Sequence, residues 1–169
     1  LQPVVDGGGR SHGAVVTLRE MREVGRLVDG AIGVQRTFTF DDLIGENSCG
    51  NHSAASAWYY GVTIAVDPAY RRLGIGHQLY IRRKDVVRRL GKQGIVAGGV
   101  IPGYKEHIHA MSADEDVDKV RAGELYDPTL SFQIENGFEA ICAIPNYMDD
   151  PAVGDNAVLI VWRNPDLSQ

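Results

Sequence analysis

The stretch Trp58-Tyr59-Tyr60-Gly61-Val62-Thr63-Ile64-Ala65-Val66-Asp67-Pro68-Ala69-Tyr70-Arg71-Arg72-Leu73-Gly74-Ile75-Gly76-His77 decides how this chain is read. Its first half alternates and is rich in aromatic and β-branched residues, which predicts a strand. Tyr60, Val62, Ile64 and Val66 would share one face, with Tyr59, Gly61, Thr63 and Ala65 on the other. Asp67-Pro68 stops that strand, because proline brings no N–H to the ladder. From Ile75 the period lengthens. Ile75, Leu79, Val86 and Leu90 form a helical stripe flanked by Gly76, Tyr80 and Val87, while Arg82, Lys84, Asp85, Arg88 and Arg89 occupy the rest. The unit is strand, glycine-containing turn, helix.

The turn carries chemistry. From Arg71 to His77 the helix is only beginning, so successive amides have no intrahelical acceptor. Glycine lets a ligand approach them closely, and the helix dipole favours an anion there. Arg71 and Arg72 add forked donors suited to phosphate oxygens. A diphosphate is the natural guest; the plainer alternative is a connecting turn with solvated arginines.

Arg71-Arg72-Leu73-Gly74-Ile75-Gly76, preceded by Val66-Asp67-Pro68-Ala69-Tyr70, resembles the acetyl-coenzyme A pyrophosphate motif of the GNAT superfamily of N-acetyltransferases. Ile95–Tyr104 and Leu125–Phe138, ending in Asn136-Gly137-Phe138, resemble more narrowly the GNAT module fused to carbon–nitrogen hydrolases in some bacteria. The likeness covers about Leu27 to Trp162. It implies an α/β fold with a mixed central sheet, splayed parallel strands and helices on both faces. It also implies acetyl-coenzyme A as cosubstrate, held by Ile64, Ala65 and Val66 along the pantetheine arm and by Arg71, Arg72, Leu73, Gly74, Ile75, Gly76 and His77 at the pyrophosphate. A full domain of this kind has a strand and two helices ahead of a hairpin. Little room for them precedes Ala14, so they are expected to be absent or incomplete, with a second copy of the chain a candidate to complete the acceptor side.

The 169 residues suit one domain with a single core, here taken as 14–164 between a glycine-bearing leader (1–13) and a frayed tail (165–169). No apolar run approaches the length of a membrane span, and no secretion signal is evident. Cys49 and Cys142 read as free thiols in a reducing cytoplasm. A net charge of −5 argues against general nucleic-acid binding, yet eight of the 17 basic residues lie between Arg71 and Lys92. For Arg82 to Arg89 a solvated helix face is the simpler reading.

Ala14 to Val24 reads as a strand or as the start of a short helix; as a strand it forms an antiparallel hairpin with Leu27 to Phe38, and Asp41 to Ser56 reads as a loop. Ile95 to Ile101 is a second buried strand, parallel to the first, in which Gly98-Gly99 suits close approach of a ligand or backbone. Ser112-Ala113-Asp114-Glu115 is a capping box opening a helix. Asp127-Pro128 starts a short helix that Asn136-Gly137 ends. Strands follow at Phe138–Ile144 and Ala157–Trp162. His107-x-His109 lacks a third ligand nearby, so no metal is expected.

By the resemblance, an amine attacks the bound thioester, and proximity supplies much of the acceleration. The family's common proton donor is a tyrosine four residues before the glycine of Gly137-Phe138. That position is Gln133, which cannot serve. Tyr126 is the nearest substitute, ahead of Tyr104, and His107 is the first candidate base, followed by Glu106. Backbone amides near Ala65 or Val66 suit the oxyanion. Two other classes stay open. One is a coenzyme A-binding module without catalysis. The other is a different phosphate binder, although Leu79 breaks a Gly-x-Gly-x-x-Gly pattern and no P-loop lysine is present.

Overall fold

The computed structural model describes residues 18–20, 39–40, 56–62 and 64–167. Besides short 3-10 turns, five strands and three α-helices fall there: β1 (Leu18–Glu20), β2 (Trp58–Gly61), α1 (Ile75–Arg89), β3 (Gly94–Val100), α2 (Ala113–Arg121), α3 (Leu130–Glu135), β4 (Glu139–Ile144) and β5 (Ala157–Arg163). The strands form one mixed sheet in the order β1-β2-β3-β5-β4. Only β2 and β3 are parallel, as a strand–helix–strand crossover through α1 requires. The apolar run of β5 explains its central place: Ala157 to Trp162 are all buried, with neighbours on both edges.

Alternation along the strands builds two cores. Tyr59, Ile95, Ala97, Val158, Ile160 and Trp162 face one cluster, which Tyr80 and Val87 of α1, Val117 and Val120 of α2 and Leu130 of α3 complete. Trp58, Tyr60, Val96, Leu159 and Val161 face the other, closed by Ile144, Tyr147 and Phe40. All three described helices therefore lie on one face. Burying a side chain such as Ile95 or Ile160 contributes about 1.5–3 kcal/mol.

β2 is shorter than its pattern suggests. Its ladder with β3 ends at Tyr60↔Val96, while β3 runs on to Val100 against β5. Val62 packs with Tyr60, but Ile64 packs with the opposite cluster, so the alternation expected through Val66 breaks after Val62. The parallel strands part at that point.

On α1 the buried side chains are Tyr80, Arg83 and Val87. The apolar stripe read from the sequence is thus turned by about one residue: Ile75 and Leu90 are exposed, and the larger Tyr80 packs instead against Phe132 and Phe138, with ring centroids 5.7 and 5.0 Å away. The capping box holds: Ser112 Oγ accepts from Glu115 N, and Ser112 N donates to the Glu115 carboxylate. In α3 the cap residue is Thr129, but Asp127 does the bonding, accepting from the amides of Thr129 and Leu130 at 2.8 and 2.7 Å and from Gly103 N at 2.7 Å. This clamps the start of α3 to the end of β3. Within the expected frayed tail, Pro165–Leu167 forms a 3-10 turn. Of the expected hairpin, Leu18–Glu20 pairs directly with β2. Its second arm up to Phe38, the 41–55 part of the loop and the question of an N-terminal strand and helix pair lie outside the described residues.

Candidate functional site

Where β2 and β3 diverge, a cavity of about 1020 Å³ opens. Its wall includes Tyr80, Phe132, Gln133 and Phe138 from the helix-covered face and Phe40, Tyr147 and Met148 from the opposite one, so it passes through the sheet. Ile64, Ala65, Val66, Arg71, Arg72, Gly74, Ile75, Gly76 and His77 all line it. Leu73 does not, and is 69% exposed. Among the described residues no carboxylate belongs to the lining, whereas Arg71, Arg72 and Arg83 do.

The outer end is the start of α1. Arg72 and Gly74 both have positive φ, 63° and 75°, a conformation that costs a residue with a Cβ roughly 1–2 kcal/mol. The first intrahelical bond is Gln78 N–H to Gly74 O, which leaves the amides of Ile75, Gly76 and His77 without helical acceptors. Arg71 Nε donates to Val66 O across the turn at 3.3 Å. Asn136 Nδ2 donates to Phe132 O, so its Oδ1 faces His77, and His77 Nδ1 must be the protonated nitrogen across the 2.6 Å contact. Lys84 Nζ donates to Asn136 O. Histidine and lysine thus fasten α1 to the Asn136-Gly137 end of α3. Gly76 packs against Phe132, where a Cβ would lie 3.0 Å from the ring.

The inner end was not legible in advance. Arg83 is buried, and a Cβ at Gly61 would lie 2.7 Å from its Nη1. Desolvation lowers its pKa, with the nearby Tyr80 and Tyr59 opposing. The paired glycines of β3 receive side chains rather than a backbone: a Cβ on Gly98 would overlap the Tyr147 ring, and one on Gly99 would lie 2.5 Å from Gln133 Oε1. Gln133 is 7% exposed and its Oε1 has no donor among the described residues. The faint sequence signal for this arrangement was Gly98-Gly99 itself.

The two candidate catalytic residues lie elsewhere. Tyr126 is 72% exposed and outside the lining. It precedes the Asp127 clamp, which turns the chain to start α3 and leaves the phenol in solvent. His107 caps a 3-10 turn after β3 and also lies outside the wall. Its charge acts on buried Asp116, whose pKa desolvation raises and His107 lowers. Among the described residues no group of three His, Cys, Asp or Glu could hold a metal ion, and no helix is long and apolar enough to cross a membrane.

No protein-family model matches the chain. In solved structures, the GphF GNAT-like decarboxylase in complex with isobutyryl-CoA superposes with a TM-score of 0.75 at 20% identity, over 96% of this chain and 76% of that one. The loading GNATL domain of CurA from Lyngbya majuscula gives 0.74 at 16%, over 91% and 72%. This chain has the GNAT fold. Two Bacillus subtilis (strain 168) proteins are similar in sequence. The probable hydrolase YhcX is 42% identical over 129 residues, 76% of this chain and 25% of that protein. The uncharacterized N-acetyltransferase YkwB is 32% identical over 126 residues, 75% and 56%. The chain thus spans a quarter of one relative and just over half of the other.

Proposed function

We propose that this GNAT-fold domain binds an acyl-coenzyme A, acetyl-coenzyme A in the first instance, and transfers the acyl group to an amine. One observation carries the reading: a single cavity runs from the helix-start amides beside Arg71 and Arg72 to the gap between β2 and β3, with no carboxylate among the described residues of its wall. The amides of Ile75, Gly76 and His77, with the helix dipole behind them, suit a pyrophosphate. The edge from Val66 back to Ile64 has left the ladder, so its backbone is available to an extended amide-bearing arm. The acyl-coenzyme A bound by GphF and the N-acetyltransferase name of YkwB support the same reading.

The residues position rather than react. An amine lone pair forms the C–N bond, the carbonyl pair moves onto oxygen and returns, and the C–S bond breaks with its pair going to sulfur. The proton lost from nitrogen passes through solvent to the thiolate. The wall holds the two reactants together, the source of most of the acceleration. The acceptor would enter from the Phe40 and Met148 side, opposite α1. The likeness to YhcX, named a probable hydrolase, supports the further proposal that such a module works beside a hydrolase; that this is a carbon–nitrogen hydrolase is proposed from the resemblance alone. A cytoplasmic setting and a second copy completing the acceptor side are likewise proposals.

Calorimetry with acetyl-coenzyme A, followed by thiol detection across a panel of amines, tests the reading. Binding, with thiol release only when an amine is present, is expected. Absence of binding overturns the assignment. Binding without release from any amine would establish the non-catalytic coenzyme A module instead.

A further inference from the structure

Gln133 of α3 lines the cavity although it is 7% exposed. Its backbone is held on both sides: Gln133 N donates to Thr129 O at 3.0 Å, and Gln133 O accepts from Phe138 N at 3.0 Å. Its side chain is held at one end. Burial raises the pKa of the Tyr80 phenol, and a hydrogen bond from the Gln133 amide counters that rise. Only a bond donated by the amide nitrogen favours a phenolate, so Nε2 faces Tyr80. Oε1 is the other end, with no donor among the described residues. A buried carbonyl oxygen left without a donor is costly to fold, and this one belongs to the wall of a cavity large enough for a ligand.

The sheet register locates that oxygen along the cavity. A Cβ at Gly61 would lie 3.5 Å from the Ala97 Cβ, close to where the two parallel strands part. Gly99 follows two positions later on the same face of β3, and a Cβ there would lie 2.5 Å from Oε1. Oε1 therefore stands just past the fork, at the inner end of the edge that runs from Val66 back to Ile64. We propose that Gln133 Oε1 accepts a hydrogen bond from the pantetheine amide N–H nearest the sulfur of the bound acyl-coenzyme A, an inference that rests on the acyl-coenzyme A reading above. An amide oxygen can only accept, so its partner must bring a hydrogen. Counting inward from the pyrophosphate, the arm carries one hydroxyl and two amide N–H groups, and the thioester beyond them carries no donor. With the phosphates at Gly74–Gly76, the hydroxyl and the first amide stay nearer the outer end, where Phe132 covers Gly76. The second amide is the donor that reaches deepest. Its bond to Gln133 fixes the rotation of the arm and sets how far the sulfur enters the gap between β2 and β3. No proton is transferred in this contact; Gln133 is a binding residue.

The test pairs two cosubstrates with two proteins in calorimetry. The cosubstrates are acetyl-coenzyme A and its analogue with an ester oxygen in place of that amide N–H; the proteins are the parent and Gln133→Met. Methionine fills a similar volume and offers only a weak acceptor. The parent should bind the analogue about tenfold more weakly than acetyl-coenzyme A. Gln133→Met should bind acetyl-coenzyme A about tenfold more weakly than the parent does, and should bind the two cosubstrates within about twofold of each other, because the pair is then already broken. An ester penalty equal in the two proteins overturns the inference and leaves the coenzyme A site standing. A parent that binds neither cosubstrate removes the site and the inference together. A Gln133→Met protein with raised KM for an amine and unchanged affinity for acetyl-coenzyme A also overturns it, by giving Oε1 to the acceptor. Gln133→Asn, which draws the carbonyl back by one methylene, makes the same comparison if Gln133→Met does not fold. With acetyl-coenzyme A labelled with nitrogen-15 at that amide, the bound proton resonance should lie further downfield in the parent than in the variant, and coincident resonances count against the proposal.

Discussion

The two ends of the cavity are built in opposite ways. The outer end is one continuous piece of chain, Val66 to His77, whose amides and arginines come together because they are neighbours in sequence. The inner end collects Phe40, Gly61, Arg83, Gly98, Gln133 and Tyr147 from six separate segments. A locally encoded site needs only its turn to form. An assembled one needs the sheet register, the α1 rotation and the Asp127 clamp all in place.

That contrast can be broken most severely at the inner end. Gly98→Val should destabilise the fold by about 3 kcal/mol, since its side chain would have to displace the Tyr147 ring from a packed core. A thermal midpoint equal to the parent's would show that the assembled end is looser than described. At the outer end, Gly76→Asp should weaken acetyl-coenzyme A binding about 100-fold, some 2.7 kcal/mol, by placing a carboxylate among the helix-start amides. The midpoint should drop less than for Gly98→Val, because only Phe132 must yield. Affinity within threefold of the parent by calorimetry would detach the turn from the ligand.

Smaller effects sharpen the comparison. Arg71→Ala or Arg72→Ala should each cost about tenfold in affinity, a loss that shrinks as salt is raised, because exposed charges are screened. A salt-independent loss would point to backbone distortion of the turn instead. Tyr126→Phe should leave affinity, turnover and midpoint within twofold or 1 °C, roughly the noise of a surface change. A large fall in turnover would restore this exposed phenol to the chemistry.

The strand–turn–helix unit was legible because each of its signals is local: alternation, Asp-Pro, then glycines before a basic amphipathic run. The capping box at Ser112 and the Asn136-Gly137 stop could be read for the same reason. The buried stripe of α1 could not. Ile75–Leu79 and Gly76–Tyr80 satisfy the same helical period, and only the aromatic partners Phe132 and Phe138 select the second. Arg83, placed by charge alone, reads as surface. It is buried because Gly61, 22 residues earlier in the sequence, leaves the guanidinium its space. Tyr126 is a candidate by closeness in sequence to α3 and His107 by an imidazole's near-neutral reference pKa, and neither criterion measures closeness in space.

By itself the sequence determined that an anion-receptive turn joins a strand to a helix, since the amides, left-handed glycine and arginines that make it lie within a dozen consecutive residues. The tertiary structure alone decided what waits at the far end of the cavity. Tyr147 and Gln133 reach the adjacent glycines of β3 from opposite faces, and no local rule couples side chains that meet only after the strands have paired and parted.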